Sequence, residues 1–425
     1  MLRIFHTADW HLGHHLHGVS RQLEHQQFLD WLLDELHNKQ ADALIVAGDI
    51  FDSANPSSAA QSQLYEFLVK ARTRLPNLDV VLIGGNHDSA SRLDAPSPIL
   101  NALGVTVVGG LSRDAQGNID WDRLLVPLTN AAGDIKAWCG AMPFLRNADL
   151  PATARDVASG TERPDEQDND PLISGMKTLY AELFSQLQQK AGNAESLILT
   201  GHCYMVNGAV SELSERKILG GNQHALPVEL FPDDIAYVAL GHLHLAQRVG
   251  ANENIRYSGS PIPLSFDETG YAHQVVQVDV KAGQPVETVG VKIPRSVQLL
   301  RIPNGKDFAV LSEVIGHLEN LTLDDLPIAQ RPLLELRIRL EKPEPGLRQQ
   351  IEEVIAKLPV RLLKISTAYS GSEKSLADLK IEERLEELQP LDVFQRCYQN
   401  KYDKDAPEAM NALFNELVEN LQGTE

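Results

Sequence analysis

One pattern recurs along this chain and narrows what it can fold into: a short apolar run ends in glycine, and the next residue is a potential metal ligand. Ala43–Gly48 leads into Asp49, and Val80–Gly85 leads into Asn86-His87-Asp88. Ser196–Gly201 leads into His202, and Tyr237–Gly241 leads into His242-Leu243-His244. A fifth apolar run, Leu2–Thr7, reaches Asp9-Trp10-His11 without the glycine. Runs of this length, rich in Val and Ile and bounded by glycine, read as strands. Ligands of α/β sheets collect outside the carboxyl ends of strands, and glycine there allows sharp turns or close backbone approach. Residues at i and i+2 of an extended segment point to one side. Asp9 with His11, and His242 with His244, are therefore expected to face one cluster, with Trp10 and Leu243 turned into packing.

Each piece alone is ordinary. A histidine after a strand is usually structural, and Gly-Asp is usually a turn or a helix cap. Five strand ends that all deliver such donors are not explained that way. The candidate ligands are Asp9, His11, Asp49, Asn86, His202, His242 and His244. Carboxylate, imidazole and amide donors without thiolate suit Mn²⁺, Fe²⁺, Mg²⁺ or Zn²⁺ rather than a structural zinc finger. The set exceeds what one tetrahedral ion needs, so two ions are expected, with Asp49 as the bridging carboxylate. His14, His15, His17, His25 and His37 lack the placement and are assigned structural roles.

Between the strands lie helical patterns at Arg21–His37 and Ser57–Arg74, the latter opened by Pro56-Ser57-Ser58. Alternation of this kind predicts a layered α/β domain over residues 1–280. The polar, acidic stretch Asp149–Asp170 reads as an inserted mobile loop. Beyond it, strands are predicted at Val297–Ile302, Leu333–Leu340 and Val360–Ser366, with helices at Phe308–Leu321 and Leu347–Leu358. They make a small α+β unit over residues 281–370. Residues 371–425 read as acidic helices, with Leu413, Phe414, Leu417, Val418 and Leu421 forming an apolar stripe that needs a partner.

A length of 425 residues calls for two or three domains. The apolar runs are far shorter than the roughly 20 residues of a membrane span, so no membrane is expected. No secretory h-region is visible at the N-terminus. Three cysteines without CxxC spacing fit free thiols in a reducing cytoplasm. The net charge of −20 opposes a polyanionic partner unless bound cations or a basic subunit reverse it locally.

Taken in order, Asp-x-His, Gly-Asp-x-x-Asp, Gly-Asn-His-Asp, Gly-His and Gly-His-x-His resemble the calcineurin-like metallophosphoesterases. His6–Gly13, Val46–Asp52, Ala239–His244 and Arg256–Glu268 resemble the SbcD branch of nuclease subunits more closely. The resemblance implies a metal-dependent DNA nuclease, 3′→5′ on double strands and endonucleolytic on single strands and hairpins. It also implies an SbcC-like coiled-coil ATPase partner docked on the C-terminal helices, a homodimer within a heterotetramer, Mn²⁺ before Mg²⁺, and a capping role for the α+β unit. Asp9, His11, Asp49 and His244 would hold one ion, and Asp49, Asn86, His202 and His242 the other. His87 would be the catalytic histidine and Asp88 would orient its ring. Asp52 stands where archaeal and eukaryotic relatives carry a second active-site histidine, whose role does not transfer.

Overall fold

The apolar runs form strands that are buried on both faces. In Ala43–Ala47, Ile45 and Ala47 pack with Ile198, Val238 and Leu240, while Leu44 and Val46 pack with Phe28, Leu32, Leu64 and Phe67. That is why the run shows no polar alternation. A computed structural model describes residues 1–151, 171–206, 225–232, 234–250, 252–281, 284–342, 344–369 and 410.

Two six-stranded sheets share this core. The first runs Glu287–Lys292, Gln274–Val280, Leu2–Thr7, Ala43–Ala47, Asp79–Ile83, Val105–Val108 in spatial order. The second runs Gln247–Val249, Asn252–Tyr257, Tyr237–Gly241, Ser196–His202, Ile135–Gly140, Leu125–Thr129. Helices Gln22–Asn38 and Ser58–Arg74 cover the outer face of the first, with Ser57 accepting from the Ala60 N–H as N-cap. Helix Pro171–Lys190 packs through Leu179, Leu183 and Leu187 into the core shared by the sheets.

The five strands expected from the sequence are present, and their parallel registers bring their carboxyl ends to one level. Thr7 pairs with Val46, Ala47 with Ile83, and Gly241 with His202. The glycines work mainly through proximity. A Cβ on Gly241 would collide with the Ala47 carbonyl, and one on Gly85 with Asp49. Gly48 adds a left-handed backbone, at φ +90°.

Beyond the boundary expected at residue 280, Glu287–Lys292 pairs with Gln274–Val280 and completes the first sheet's edge. The smaller unit follows, with parallel strands Leu299–Ile302, Leu333–Leu340, Arg361–Tyr369 and the short Ala309–Val310. Helices Leu311–Glu319 and Leu347–Ile355 supply Val314, Leu318 and Ile351 to its core. It joins the larger domain through Leu16, Phe266, Val297, Leu299 and Leu333, and through Arg301, which pairs with Asp267 at 2.8 Å. Residues 152–170, within the expected acidic loop, and the expected tail helices, apart from Met410, lie outside the described residues.

Two glycine substitutions separate close approach from mere helix propensity. Gly241→Ala has no room beside Ala47 and is expected to cost ~3 kcal/mol or more in denaturant unfolding. Gly316→Ala sits in the Leu311–Glu319 helix with nothing within 4 Å and is expected to add ~1 kcal/mol.

Candidate metal centre

The loops that leave the first sheet are bonded to one another. Asp9 N donates to Gly48 O at 3.0 Å, His11 N to Asp49 O at 3.0 Å, and Leu12 N to Ile50 O at 2.9 Å. Along these loops Asp9, His11 and Asp49 adopt φ of 55°, 47° and 50°, and His242 adopts 103°. Non-glycine residues in this region cost of order 1–3 kcal/mol each and persist only where the surroundings fix them. Asp9 and His11 thus converge through left-handed turns, not through an extended segment as their spacing implied. Trp10 is buried against Phe28 and Phe67, and Leu243 lies in the core, as expected.

Asp49 stands at the middle of the cluster. Its Oδ2 lies 3.5 Å from His11 Nε2 and 3.4 Å from His202 Nε2, while Oδ1 accepts the His87 N–H at 2.8 Å. On one side, donor atoms of Asp9, His11 and His244 fall within 4.8 Å of one another. On the other, Asn86 Oδ1 lies 2.9 Å from His202 Nε2 and 3.1 Å from His242 Nδ1. Asp9, Asp49 and His202 form a second group within 4.8 Å. All seven candidate ligands are therefore gathered in one place.

The cluster is incomplete as protein chemistry. Asp9 Oδ2 and both ring nitrogens of His11 are buried and make no hydrogen bond. His11 Nδ1 lies 3.3 Å from Asp52 Oδ1, outside hydrogen-bonding geometry. Orphaned buried polar atoms are costly, and cations would satisfy these. Burial raises the Asp9 carboxyl to about 6 and lowers His11 to about 4 and His242 to about 3, which keeps both imidazoles neutral and able to ligate. Burial alone would raise Asp49, but His202, His87 and His11 hold it well below the usual range. His202 is raised to about 9, its own burial outweighed by Asp49.

Around the cluster sits a set of anchoring residues. His244 Nδ1 lies 2.9 Å from Glu268 Oε1, and Glu268 Oε2 accepts the Leu264 N–H at 2.7 Å. His202 Nδ1 donates to the Ala47 carbonyl at 2.8 Å. Asp88 does not touch the His87 ring as expected. Its carboxylate instead accepts N–H groups of Gly85, Ile50 and Phe51 at 2.9–3.1 Å, pinning the loop after Asp49. The His87 ring is held by main chain: Nδ1 donates to the Asp52 carbonyl at 2.8 Å. His14, assigned a structural role from sequence, lies beside the site, with Nδ1 2.9 Å from Asp52 Oδ1.

The calcineurin-like phosphoesterase family model matches residues 2–246. The chain is a calcineurin-like phosphoesterase. A second model, described as a type 5 capsule protein repressor C-terminal domain, matches residues 295–402. The chain is 42% identical over 361 residues to the D subunit of the nuclease SbcCD from Rhodobacter capsulatus, covering 85% of this chain and 86% of that one. It is 31% identical over 426 residues to the corresponding SbcCD protein of Escherichia coli K12, covering 99% of each. The Bacillus subtilis counterpart is 34% identical over 356 residues, covering 81% and 84%. Within the phosphoesterases, the chain belongs to the SbcD family of SbcCD nucleases.

Glu268 and His14 were not legible as site residues, and Asp52 was so only as the position of a second histidine in relatives. Glu268 ends the segment whose resemblance to the family carried no role, 24 positions beyond His244. His14 meets Leu264 across 250 positions. Neither spacing carries a signal.

Metal binding is expected to release a proton. The folded pKa of His202 lies above its ordinary value, so its pairing with Asp49 stabilises the metal-free chain below about 6.5 and is lost as pH rises through about 9. An ion at Nε2 must displace that proton. Mn²⁺ affinity of the chelator-treated protein should rise about tenfold per pH unit toward 9 and then level. Calorimetry in buffers of different ionisation enthalpy would measure both the affinity and the released proton.

Proposed function

We propose that this chain is the nuclease subunit of an SbcCD-type complex, hydrolysing DNA phosphodiester bonds at ends and hairpins. The observation that carries this reading is Asp49 Oδ2 set between His11 and His202, with His87 bound to the other carboxylate oxygen through its N–H. Asp9, His11, Asp49 and His244 would hold one ion, and Asp49, Asn86, His202 and His242 the other. When bound, two divalent cations acidify a water and neutralise charge on the phosphoryl oxygens.

The chain's own residues supply orientation and proton handling. Because Nδ1 of His87 gives its hydrogen to the Asp52 carbonyl, Nε2 is the ring atom left to face a substrate. With a second proton on Nε2, as the imidazolium, the ring would donate a hydrogen bond or proton toward the phosphate or the leaving oxygen. His87 is a catalytic residue in this reading and Asp88 is a positioning residue for the Asp49–Asp52 loop.

Mn²⁺ is the proposed physiological ion, with Mg²⁺ a weaker substitute, since imidazoles join the oxygen donors. The proposed partner is an SbcC-like coiled-coil ATPase whose ATP cycle drives exonuclease action on double strands, in a heterotetramer built on a dimer of this chain. Residues 1–280 with the added edge strand to Lys292 would form the nuclease domain, 293–370 the cap, and 371–425 the docking tail.

Two substitutions test the assignment on a hairpin oligonucleotide with and without the partner. Asp49→Asn should lose metal and cleavage together. His87→Gln should keep two equivalents of Mn²⁺ by elemental analysis while kcat falls about 10²–10⁴-fold. Loss of a metal equivalent in His87→Gln would place that residue among the ligands. Cleavage that persists in EDTA would end the two-metal reading, and cleavage of small diesters alone would remove DNA as the substrate.

A further inference from the structure

A hydrogen-bonded chain runs around the outside of the cluster and links the catalytic histidine to a metal ligand. His87 Nδ1 meets the Asp52 carbonyl at 2.8 Å, and Asp52 Oδ1 meets His14 Nδ1 at 2.9 Å. His14 Nε2 meets the Leu264 carbonyl at 3.1 Å. Leu264 N then donates to Glu268 at 2.7 Å, and Glu268 meets His244 Nδ1 at 2.9 Å. The connecting residues stand outside the proposed ligand set, although donor atoms of His11, Asp52 and His87 also lie within 4.8 Å of one another. The chain joins the loop after the Ala43–Ala47 strand to the segment after Tyr257, which are otherwise distant in sequence.

We propose that His14 and Asp52 are positioning residues for His87. With a hydrogen on each ring nitrogen, His14 donates to the Asp52 carboxylate and to the Leu264 carbonyl and so clamps the Asp52 side chain to the Leu264 segment, and that clamp fixes the Asp52 carbonyl on which the His87 ring is aimed. This rests on the reading of His87 as the catalytic histidine. The physical case is one of restraint. A main-chain carbonyl can orient a ring only as well as its own loop is held. Asp88 pins that loop at Ile50 and Phe51, but nothing it touches reaches residue 52. The Asp52 N–H bonds to Leu12 O at 3.2 Å, and its side-chain Oδ1 is held at 2.9 Å from His14 Nδ1 and lies 3.3 Å from His11 Nδ1. Arg21 reinforces the far anchor by donating to the Pro263 carbonyl at 2.8 Å. The sequence difference at residue 52 thereby acquires a physical function: an anionic side chain there recruits His14, and the main chain of the same residue aims His87.

The imidazole of His14 has two ends, and two isosteric halves test them separately. His14→Asn keeps a donor at the Nδ1 position toward Asp52. His14→Gln keeps one at the Nε2 position toward Leu264, and His14→Ala keeps neither. With Mn²⁺ and a hairpin oligonucleotide, His14→Ala should lower kcat about 10- to 100-fold. KM and bound Mn²⁺ should stay at wild-type levels, the signature of a group aligned for the transition state rather than for binding. His14→Asn and His14→Gln, each keeping one end of a two-ended clamp, should each recover only part of the loss. The second readout needs no activity: in metal-free, ¹⁵N-histidine-labelled protein, the His87 Nδ1 hydrogen should exchange slowly with solvent in the wild type and faster in His14→Ala. Unchanged kcat and unchanged exchange in His14→Ala would overturn the proposal. So would equal losses in all three variants with loss of metal or of thermal midpoint, which marks a purely structural role. If the wild type shows no Mn²⁺-dependent cleavage, the two-metal reading fails, and the exchange measurement alone decides the positioning.

Discussion

A carboxylate buried among imidazoles is the constraint on which this structure turns. Asp49 has His11 and His202 within 3.5 Å of one oxygen and the His87 N–H on the other, all shielded from water. Burial of so many polar donors is tolerable only if each has a fixed partner. The fold meets this condition in layers. Carbonyls of Ala47 and Asp52 take ring hydrogens from His202 and His87, Glu268 meets His244, and N–H groups of Gly85, Ile50 and Phe51 take the charge of Asp88. What the layers leave unpaired is Asp9 Oδ2 and the His11 ring, on the side where Asp9, His11 and His244 converge. The protein satisfies its own second ring of contacts and leaves the inner one to cations.

Such a cluster requires two sheets whose strand ends nearly touch. The glycines make that contact, and they do so by what they lack. At Gly241 and Gly85 no side chain could fit between the backbone of one strand end and the next. The strain appears one residue after Gly48 and Gly241, at Asp49 and His242, and in the glycine-free turn at Asp9 and His11, all left-handed without being glycine. The hydrogen bonds that pair the two loops hold these conformations. Strain at the ligands and close approach at the glycines are two consequences of the same crowding.

That division explains what was legible in the sequence. Residue types at strand ends are local, and they pointed to the seven candidate ligands, which the strand ends bring into one place. Conformation at Asp9 and His11 was not legible, because i, i+2 spacing describes an extended chain and the loop pairing bends it. Asp88 bonds to N–H groups of Gly85, Ile50 and Phe51 and not to the His87 ring, a difference that adjacency in sequence cannot show. Helix Pro171–Lys190 follows a polar stretch that concealed its start, and the edge strand Glu287–Lys292 alternates too weakly in burial to announce a sheet. Glu268 and His14 are found only by distance in space, and so are the partners of Asp52.

The acidity of the whole chain fits this arrangement better than it first suggests. With a net charge of −20, a DNA backbone would be repelled by most of the surface. At the cluster, however, Asp9 and Asp49 are the only carboxylates in the proposed ligand set, and four of its other members are neutral-capable imidazoles. Two divalent ions would bring four positive charges against the two negative ones of the proposed ligand set, with Asp52, Asp88 and Glu268 standing in the shell around it. A ligand set richer in carboxylates would hold the ions more tightly but offset more of their charge. Imidazole and amide donors offset none of it, and the rings require outer anchors such as Glu268, because a ring must be aimed whereas a carboxylate can rotate to its ion. The hydrogen-bonded shell around the cluster is thus the structural counterpart of a ligand set built mostly of rings.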